Sequence, residues 1–406
     1  MTQNPPDALP LALATRLVHA HASPHAHHGA VASPIYQSAT FLSNPEQHDA
    51  SYQDIVYARL GNTPNHVTLH RRIADVEGAQ QAFSFSSGMA AISTTLMALL
   101  DPGDHLLASD ELYGATHQLL SQHMPRCNVE VTRFDPRQSA AELAALVRPN
   151  TRAIYLEAMS NPLLKLPDFD AILTVARQHD LLSIVDNTFC SPINFRPIEH
   201  GFSLGLHSAT KYLNGHSDVI AGCVFGEASL VERIVHRTHL QGACLDPHAA
   251  VLLERGMKTL ALRVTQQNAN ALALARELEA HAARHDSPVR RVYYPGLESS
   301  SCHATASRYF DGYGGVLSFE LEAGDDETGG TARALKLVNN LALAHYAPSL
   351  GGVESLVTLP VLTSHSTMSA QEREALGISS GLVRLSLGIE DTNDLRRDLL
   401  RALDAI

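Results

Sequence analysis

The feature that most constrains the fold is a regular alternation of short apolar runs with helical stretches between residues 64 and 185. Helical stretches are predicted at residues 64–78, 88–100, 114–123, 139–147 and 168–179. Apolar runs that predict strands lie at residues 82–85, 105–108, 128–132, 153–156 and 181–185. Strands that alternate with helices in this way indicate an α/β fold, in which a parallel sheet is covered by helices on both faces.

The rest of the chain is less regular. One long helical stretch, bent near Gly256, is predicted at residues 248–284. Later strands are predicted at residues 289–293, 315–321 and 382–387, with helices near 330–341 and 394–405. Residues 1–62 are rich in His, Pro, Ser and Asn and have no sustained period. Such a stretch is too long for a loop within a compact domain, so we expect an arm that crosses a neighbouring subunit or is partly disordered.

A chain of 406 residues is long enough for two domains. The change from alternating strands and helices to sparser strands favours a boundary inside the long helical stretch. We therefore predict an N-terminal arm that contacts a neighbouring subunit (residues 1–62), a large domain (residues 63–258) and a smaller C-terminal domain (residues 259–406).

Composition restricts the partners and the compartment. The net charge of −12 argues against nucleic acid and anionic membranes as partners. No run of 18 apolar residues predicts a membrane span, and the N-terminus does not resemble a secretion signal. The five cysteines are scattered and form no CxxC pair, which is typical of reduced thiols in a cytoplasmic protein.

The N-terminal arm contains several histidines, and some His-rich tracts bind metal. These histidines are His19, His21, His25, His27 and His28. Because no cysteine or acidic residue accompanies them at metal-ligand spacing, we predict no metal site.

Three features further along the chain suggest one chemistry. The junction Ser86–Ala91 between a strand and a helix offers the N–H groups of a first helical turn to an anion. Asp186 follows a predicted central strand, where ligands bind in open α/β sheets. Lys211 follows two hydroxyl residues, Ser208 and Thr210. Pyridoxal phosphate needs such a phosphate cup, an anion beside its ring nitrogen, and a lysine to bind it covalently.

The sequence resembles the Cys/Met-metabolism group of pyridoxal-phosphate enzymes, which includes cystathionine γ-synthase, cystathionine γ-lyase and methionine γ-lyase. The resemblance extends from about Pro34 to Ile406. Its motifs include Ser33–Ser38, Tyr57–Arg59, Ser87–Ala90, Leu112–Gly114, Ser160–Pro162, Val185–Thr188, Ser208–Tyr212, Leu245–Pro247, Ser349–Ser355 and Val383–Ser386. It implies the aspartate-aminotransferase-like fold (fold type I), with a mostly parallel sheet in the large domain and a smaller α+β C-terminal domain.

The same resemblance implies roles for individual residues. The catalytic residues would be Lys211, as covalent anchor and proton shuttle, Asp186, beside the ring nitrogen, and Tyr113, stacked on the ring. Further cofactor-binding residues would be Ser87, Gly88, Met89, Ser208 and Thr210, together with Tyr57 and Arg59. Arg384 would bind the substrate α-carboxylate, with Ser349 and Asn161 nearby. Tyr57 and Arg59 would reach the phosphate of a neighbouring subunit, so the resemblance implies shared sites in a homo-oligomer, as a dimer of dimers.

The sequence also departs from the group at positions that, as the resemblance implies, would face the distal end of the substrate. Members that use cystathionine have an Arg at the position of Gln118 and a Glu at the position of Pro348. Methionine γ-lyase has a Cys at the position of Ala115. A smaller departure is the order Asn62-Thr63-Pro64, in which the proline still suits a first helical position. These residues do not select one substrate.

The leading hypothesis is therefore a pyridoxal-phosphate lyase that acts by α,γ-elimination on a γ-substituted amino acid. Its products would be 2-oxobutanoate, ammonia and a thiol or an equivalent leaving group. The alternatives are a γ-replacement synthase of the cystathionine γ-synthase or O-acylhomoserine sulfhydrylase type, and cystathionine β-lyase. A hypothesis of another class is a regulatory protein that binds the cofactor without turnover.

Overall fold

The computed structural model describes residues 11–19, 29–43, 56–322, 327–366 and 368–406. The strands are β1 (Gln81–Phe85), β2 (His105–Ser109), β3 (Glu130–Phe134), β4 (Thr151–Glu157), β5 (Leu182–Asp186), β6 (Leu204–His207), β7 (Gly222–Gly226), β8 (Val289–Tyr293), β9 (Val316–Leu321), β10 (His345–Tyr346), β11 (Leu356–Thr358) and β12 (Leu382–Ser386).

The helices lie on both faces of the first sheet and beside the second. They are α1 (Leu13–His19), α2 (Pro64–Glu77), α3 (Gly88–Leu99), α4 (Gly114–Gln118), α5 (Ala140–Ala144), α6 (Phe169–Gln178), α7 (Ser191–Asn194), α8 (Ala228–Gln241), α9 (Pro247–Met257), α10 (Leu260–Ala282), α11 (His303–Tyr309), α12 (Glu327–Asn340), α13 (Ala370–Leu376) and α14 (Thr392–Asp404). A π-helical turn, Leu119–His123, continues α4.

The first sheet has seven strands in the order β1-β7-β6-β5-β4-β2-β3. Strands β6, β5, β4, β2 and β3 are parallel, and β7 is antiparallel to both of its neighbours. This mostly parallel sheet confirms the predicted α/β architecture. Strands β6 and β7 complete the sheet and were not predicted.

The central strands are buried on both faces, which explains their apolar sequences. Leu107, Ile154 and Val185 belong to the core on one face. Tyr155 and Ile184 belong to the core on the other. Within the ladder, Glu157 at the end of β4 is paired with Asp186 at the end of β5. Two carboxylates therefore lie side by side at the carboxyl edge of the sheet.

The second sheet is smaller, with the order β10-β11-β12-β9-β8. All its neighbours are antiparallel except β10 and β11. Its central strand β12 contains Arg384, which is paired with Ser318 on one side and Thr358 on the other. This sheet and its helices form the smaller α+β unit that the resemblance implies.

The long helical stretch is two helices, so the predicted continuous helix with a bend near Gly256 is wrong. Helix α9 ends at Met257 and α10 begins at Leu260. The Gly256 carbonyl accepts hydrogen bonds from the Thr259 amide (3.2 Å) and the Arg263 guanidinium (2.8 Å). Because the Thr259 backbone leaves the α-helical region, with ψ of 5°, the chain restarts its helix there. The domain limits stay a prediction.

The N-terminal region contains structure that its sequence did not predict. Helix α1 packs against α2 and α10, with Leu17 fully buried. The Arg72 guanidinium donates a hydrogen bond to the Leu17 carbonyl. A helix of seven residues with one buried side chain is too short to show a helical period. Residues 13–19 of the predicted arm are therefore helical and pack on their own chain, and the contact of the arm with a neighbouring subunit stays a prediction.

Parts of the predicted arm, including His21, His25, His27 and His28, lie outside the described residues. Among the residues that are described, His19 is exposed, and no cluster of His, Cys, Asp or Glu is arranged to hold a metal ion. The described helices include none that is both long and apolar enough to cross a membrane.

Candidate active site

A cavity of about 660 Å³ lies at the carboxyl edge of the large sheet and is closed on one side by residues of the small-sheet region. Its walls contain most of the residues that the sequence predicted for a site. These are Ser87, Gly88, Met89, Tyr113, Asn161, Asp186, Ser208, Thr210, Lys211, Ser349 and Arg384. Residues separated by up to 297 positions in the sequence, counted from Ser87 to Arg384 (384 − 87), therefore meet in one place.

One end of the cavity is the start of helix α3. The Ser87 hydroxyl caps the helix by accepting a hydrogen bond from the Ala90 amide at 3.0 Å. A Cβ atom on Gly88 would lie 2.8 Å from the Cβ of Ser208, so only glycine fits here without displacing that side chain. The first N–H groups of a helix have no intrahelical acceptor and favour an anion. This end of the cavity therefore fits a phosphate group.

Thr210 differs in detail from its predicted role. Its hydroxyl donates to the Ala221 carbonyl at 3.1 Å and accepts from the Ala221 amide at 3.0 Å. Because a hydroxyl has one proton to donate, this arrangement leaves none for an anion. Thr210 lines the cavity, but here its hydroxyl connects two segments of the protein.

Asp186 is a buried carboxylate that accepts two hydrogen bonds from Thr188. The Thr188 amide lies 2.9 Å from Oδ1 and the Thr188 hydroxyl 2.5 Å from it. Burial raises the pKa of Asp186, and the Thr188 hydrogen bonds act in the opposite direction. A protonated ring nitrogen in the cavity would favour the ionised carboxylate. Asp186 therefore fits the position beside a pyridinium ring.

The surroundings of Lys211 favour the uncharged, reactive form of its amine. Its Nζ donates to the Ser349 hydroxyl at 2.8 Å. Burial, assisted by the positive charge of Arg384, lowers the pKa of Lys211 to about 8. At mildly alkaline pH, a large fraction of the protein molecules therefore have an uncharged, nucleophilic amine at Lys211.

Arg384 is a buried cation without a carboxylate partner among the residues that the structure describes. Its guanidinium donates to Asn161 Oδ1 at 2.7 Å and to the Ser349 carbonyl at 3.1 Å. Within the described chain its Nε has no acceptor. Burial lowers its pKa to about 10. A buried arginine that lacks a counter-ion fits the carboxylate of a ligand.

The cavity therefore combines a phosphate cup, a buried aspartate, a lysine with a lowered pKa and a buried arginine that has no carboxylate partner among the described residues. The family model "Cys/Met metabolism PLP-dependent enzyme" matches residues 14–404. The chain belongs to this family. The predicted resemblance and its cofactor, pyridoxal phosphate, are confirmed.

Members of the Cys/Met metabolism family resemble this chain over nearly its whole length. L-methionine gamma-lyase of Porphyromonas gingivalis is 40% identical over 408 residues, which is 98% of this chain and 99% of that protein. Cystathionine beta-lyase of Lactococcus lactis is 41% identical over 392 residues, covering 96% of this chain and 98% of that protein. The crystal structure of cystathionine gamma-lyase from Lactobacillus plantarum with L-serine matches with a TM-score of 0.88 and 37% identity. That match covers 98% of this chain and 99% of the other. The fold predicted for the family is therefore confirmed.

Two predicted cofactor residues, Tyr57 and Arg59, are not brought into the cavity. The Arg59 guanidinium lies over the Tyr57 ring, 5.6 Å from its centre, and donates to the His239 carbonyl at 2.6 Å. Both residues lie beside a separate groove of about 940 Å³ between α2, β1 and α8, whose walls include Leu60 and His239. Their role in a neighbouring subunit stays a prediction.

Among the cavity residues that had no predicted role, Thr188 and Glu157 form hydrogen bonds to predicted site residues. Thr188 connects Asp186 to the segment after the adjacent strand β6, because its hydroxyl also accepts from the Ser208 amide at 2.8 Å. Glu157 lines the cavity and accepts a hydrogen bond from the Tyr113 amide at 2.5 Å. A signal for Glu157 was present, since it directly follows the predicted strand 153–156, as Asp186 follows 181–185.

Proposed function

We propose that this protein is a lyase that removes the γ-substituent of an L-amino acid by α,γ-elimination. The proposal depends on one observation: Ser349 contacts both reactive groups, with its hydroxyl on Lys211 and its carbonyl on Arg384. A substrate whose α-carboxylate binds Arg384 would have its Cα close to the Lys211 amine. The products would be 2-oxobutanoate, ammonia and a thiol or an equivalent leaving group.

Three residues of the chain have separate roles in the proposed elimination. When bound, pyridoxal phosphate supplies an electron sink conjugated to the amino group of the substrate. Asp186 keeps the ring nitrogen protonated. Lys211 would remove the proton from Cα and pass it on to the bound cofactor, which its lowered pKa favours at mildly alkaline pH. The freed amine would then remove a second proton, from Cβ, and the electron pair of that C–H bond would expel the γ-substituent. Tyr113, half-exposed in the cavity wall, protonates the leaving group.

The mouth of the cavity supports a substrate with an uncharged distal end. Ile220, Pro348 and Leu362 line it, and all three are uncharged. The acidic and basic side chains that line the cavity, among the described residues, are Glu157, Asp186, Lys211 and Arg384. Gln118 is not among the lining residues. We therefore favour a thioether such as that of methionine over cystathionine, and one relative is an L-methionine gamma-lyase.

A β-lyase is the second candidate, because a relative of comparable similarity is a cystathionine beta-lyase. The groups that remove the Cα proton are the same for elimination at Cβ and at Cγ. A γ-replacement synthase also fits, since the family contains lyases and synthases.

A product screen separates these activities. Holoenzyme is incubated with methionine, cystathionine, homocysteine, canavanine and O-acylhomoserines, each with and without cysteine. We expect 2-oxobutanoate and ammonia from a substrate with an uncharged tail, in amounts that added cysteine does not reduce. Pyruvate from cystathionine would identify a β-lyase. Cystathionine formed from an O-acylhomoserine and cysteine would identify a synthase, and a protein without turnover would contradict the proposal altogether.

We also propose that the active unit is a homo-oligomer with shared sites. The support is the placement of Tyr57 and Arg59, which lie outside the cavity of their own chain and are partly exposed. An arginine at this surface is suited to bind the phosphate of a neighbouring site with two hydrogen bonds.

A further inference from the structure

Glu157 and Asp186 form a pair of neighbouring carboxyl groups at the base of the cavity. They are directly opposite each other on adjacent parallel strands, so their side chains project from the same face of the sheet. Both residues are buried and both line the cavity. Two carboxylates this close in a buried site do not both ionise readily, so one of them holds a proton near neutral pH.

The hydrogen bonds indicate which of the two keeps the charge. Asp186 accepts from the amide and from the hydroxyl of Thr188, and both bonds favour the ionised form. Within the part of the chain that the structure describes, Glu157 accepts one bond, from the Tyr113 amide. The proton therefore resides on Glu157.

The surroundings of Glu157 favour the same assignment. The acidic groups that act on it are Asp186 on the adjacent strand and Glu111 in the segment before α4. The neighbouring Tyr155, on its own strand, is buried and uncharged. Burial, followed by the charge of Asp186, raises the pKa of Glu157 well above its usual range. A Coulombic interaction with His207 on β6 lowers the pKa of Asp186, so it favours the ionised form of that carboxyl.

We propose that Glu157 is a positioning residue that works as a neutral carboxylic acid. It holds the Tyr113 backbone through a hydrogen bond and leaves the negative charge of the carboxyl pair on Asp186. The Tyr113 side chain is 46% exposed. Because the side chain is this exposed, the hydrogen bond from the Tyr113 backbone amide to Glu157 helps to fix where the Tyr113 ring lies in the cavity. This role concerns the bound cofactor and holds whichever amino acid is the substrate.

The test compares Glu157→Gln with Glu157→Ala. Glutamine is uncharged, has the same shape, and retains an oxygen for the Tyr113 amide. Alanine loses that acceptor. The readouts are the absorption spectrum of the bound cofactor across pH, which needs no substrate, and kcat and KM on the best amino acid found. Glu320→Gln is the matched control, because Glu320 is also buried in a strand and accepts a hydrogen bond, from Tyr293, but lies outside the cavity.

We expect Glu157→Gln to keep the wild-type spectrum and its pH dependence, with kcat within about threefold of wild type. Glu157→Ala should shift the spectrum and lower kcat by about tenfold, as expected for one lost hydrogen bond at the site. If glutamine shifts the spectrum as alanine does, while Glu320→Gln does not, then Glu157 works as an anion and the proposal is wrong. A spectrum and kcat unchanged in Glu157→Ala would also overturn it.

A second measurement does not depend on the alanine variant folding. The infrared difference spectrum of wild type minus Glu157→Gln should contain the carbonyl band of a protonated carboxylic acid at neutral pH. Carboxylate bands in its place would overturn the proposal.

Discussion

Arg384 and Asn161 are hydrogen bonded across the cavity, with 2.7 Å between the guanidinium and the side-chain oxygen of Asn161. Arg384 belongs to β12 of the small sheet, whereas Asn161 follows β4 of the large sheet. This bond therefore joins the two sheets at the place where we expect the substrate carboxylate. It also orients a buried cation that has no anionic partner among the described residues.

Replacing Arg384 should mainly impair substrate binding. We expect Arg384→Gln to lower kcat/KM by at least about 100-fold, since a charged hydrogen-bonded contact in a buried site contributes several kcal/mol. Most of the loss should appear in KM. Arg384→Lys keeps the charge without the planar fork and should lose less. Steady-state kinetics with the best substrate measure both, and an unchanged KM in Arg384→Gln would contradict the carboxylate role.

Lys211 should be the one covalent attachment point of the cofactor. Borohydride treatment of the wild-type holoenzyme should fix the cofactor to the peptide that contains Lys211, as measured by mass spectrometry, with loss of activity. Lys211→Ala should give no such adduct. Lys165→Ala is the control, because Lys165 forms an ion pair with Glu111 and does not line the cavity. A labelled peptide from another lysine would refute the assignment.

The lowered pKa of Lys211 predicts how the rate of cofactor attachment depends on pH. Only the neutral amine attacks the aldehyde, and burial lowers the pKa of the ammonium to about 8. The rate at which apoprotein takes up pyridoxal phosphate should therefore rise with pH and level off above about pH 8. Stopped-flow absorbance measures it. An inflection near the ordinary value for lysine would show that the site does not perturb this amine.

Asp186 should matter for the reaction more than for folding. We expect Asp186→Ala to retain its fold and to lose at least about 100-fold in kcat, because it lacks the anion beside the ring nitrogen. Thr188→Val keeps the Asp186 carboxylate but removes the hydroxyl that donates one hydrogen bond to it, so we expect a smaller decrease in kcat. Circular dichroism and kcat on cofactor-saturated protein compare the two. Near-normal turnover in cofactor-bound Asp186→Ala would count against the role.

A mixture of inactive subunits tests whether the sites are shared. If Arg59 serves the neighbouring subunit, Arg59→Ala and Lys211→Ala chains should form mixed oligomers that contain one complete site and regain activity. Lys211→Ala mixed with Asp186→Ala is the control, because both residues belong to the cavity of one chain and every mixed site keeps a defect. Subunit exchange is checked with tagged chains. Exchange without recovery in the first mixture would exclude a shared site.

The sequence predicted the central part of the fold because burial leaves a strong pattern. Strands β2, β4 and β5 are buried on both faces, so their apolar runs are nearly continuous. Strand β6 was missed since it has four residues and contains Gly205. A Cβ atom there would lie 2.2 Å from the Phe225 ring on β7, so the glycine is required by packing between two strands. A local pattern does not show that requirement.

The residues of the candidate site were predictable where the signal lies in a residue's own position in the chain. Asp186 ends a strand, and Lys211 lies in a recognisable motif. Glu157 was missed because its significance comes from pairing with Asp186, 29 residues away (186 − 157), and the register of two strands sets that pairing. Similarly, the Thr210 hydroxyl donates its proton to the Ala221 carbonyl, and Ala221 lies beside Thr210 only in the folded chain.

The interruption between α9 and α10 has a consequence for how this protein can be divided. Arg263, in the first turn of α10, donates to the carbonyls of Tyr212 (2.8 Å) and Leu213 (3.3 Å), the two residues after Lys211. The helix that leads towards the small sheet therefore supports the backbone of the reactive lysine. A fragment that stops at residue 258 would lose this support, even though it retains the whole large sheet. Gene fusions, domain exchanges and circular permutations should therefore keep residues 208–263 together as one unit.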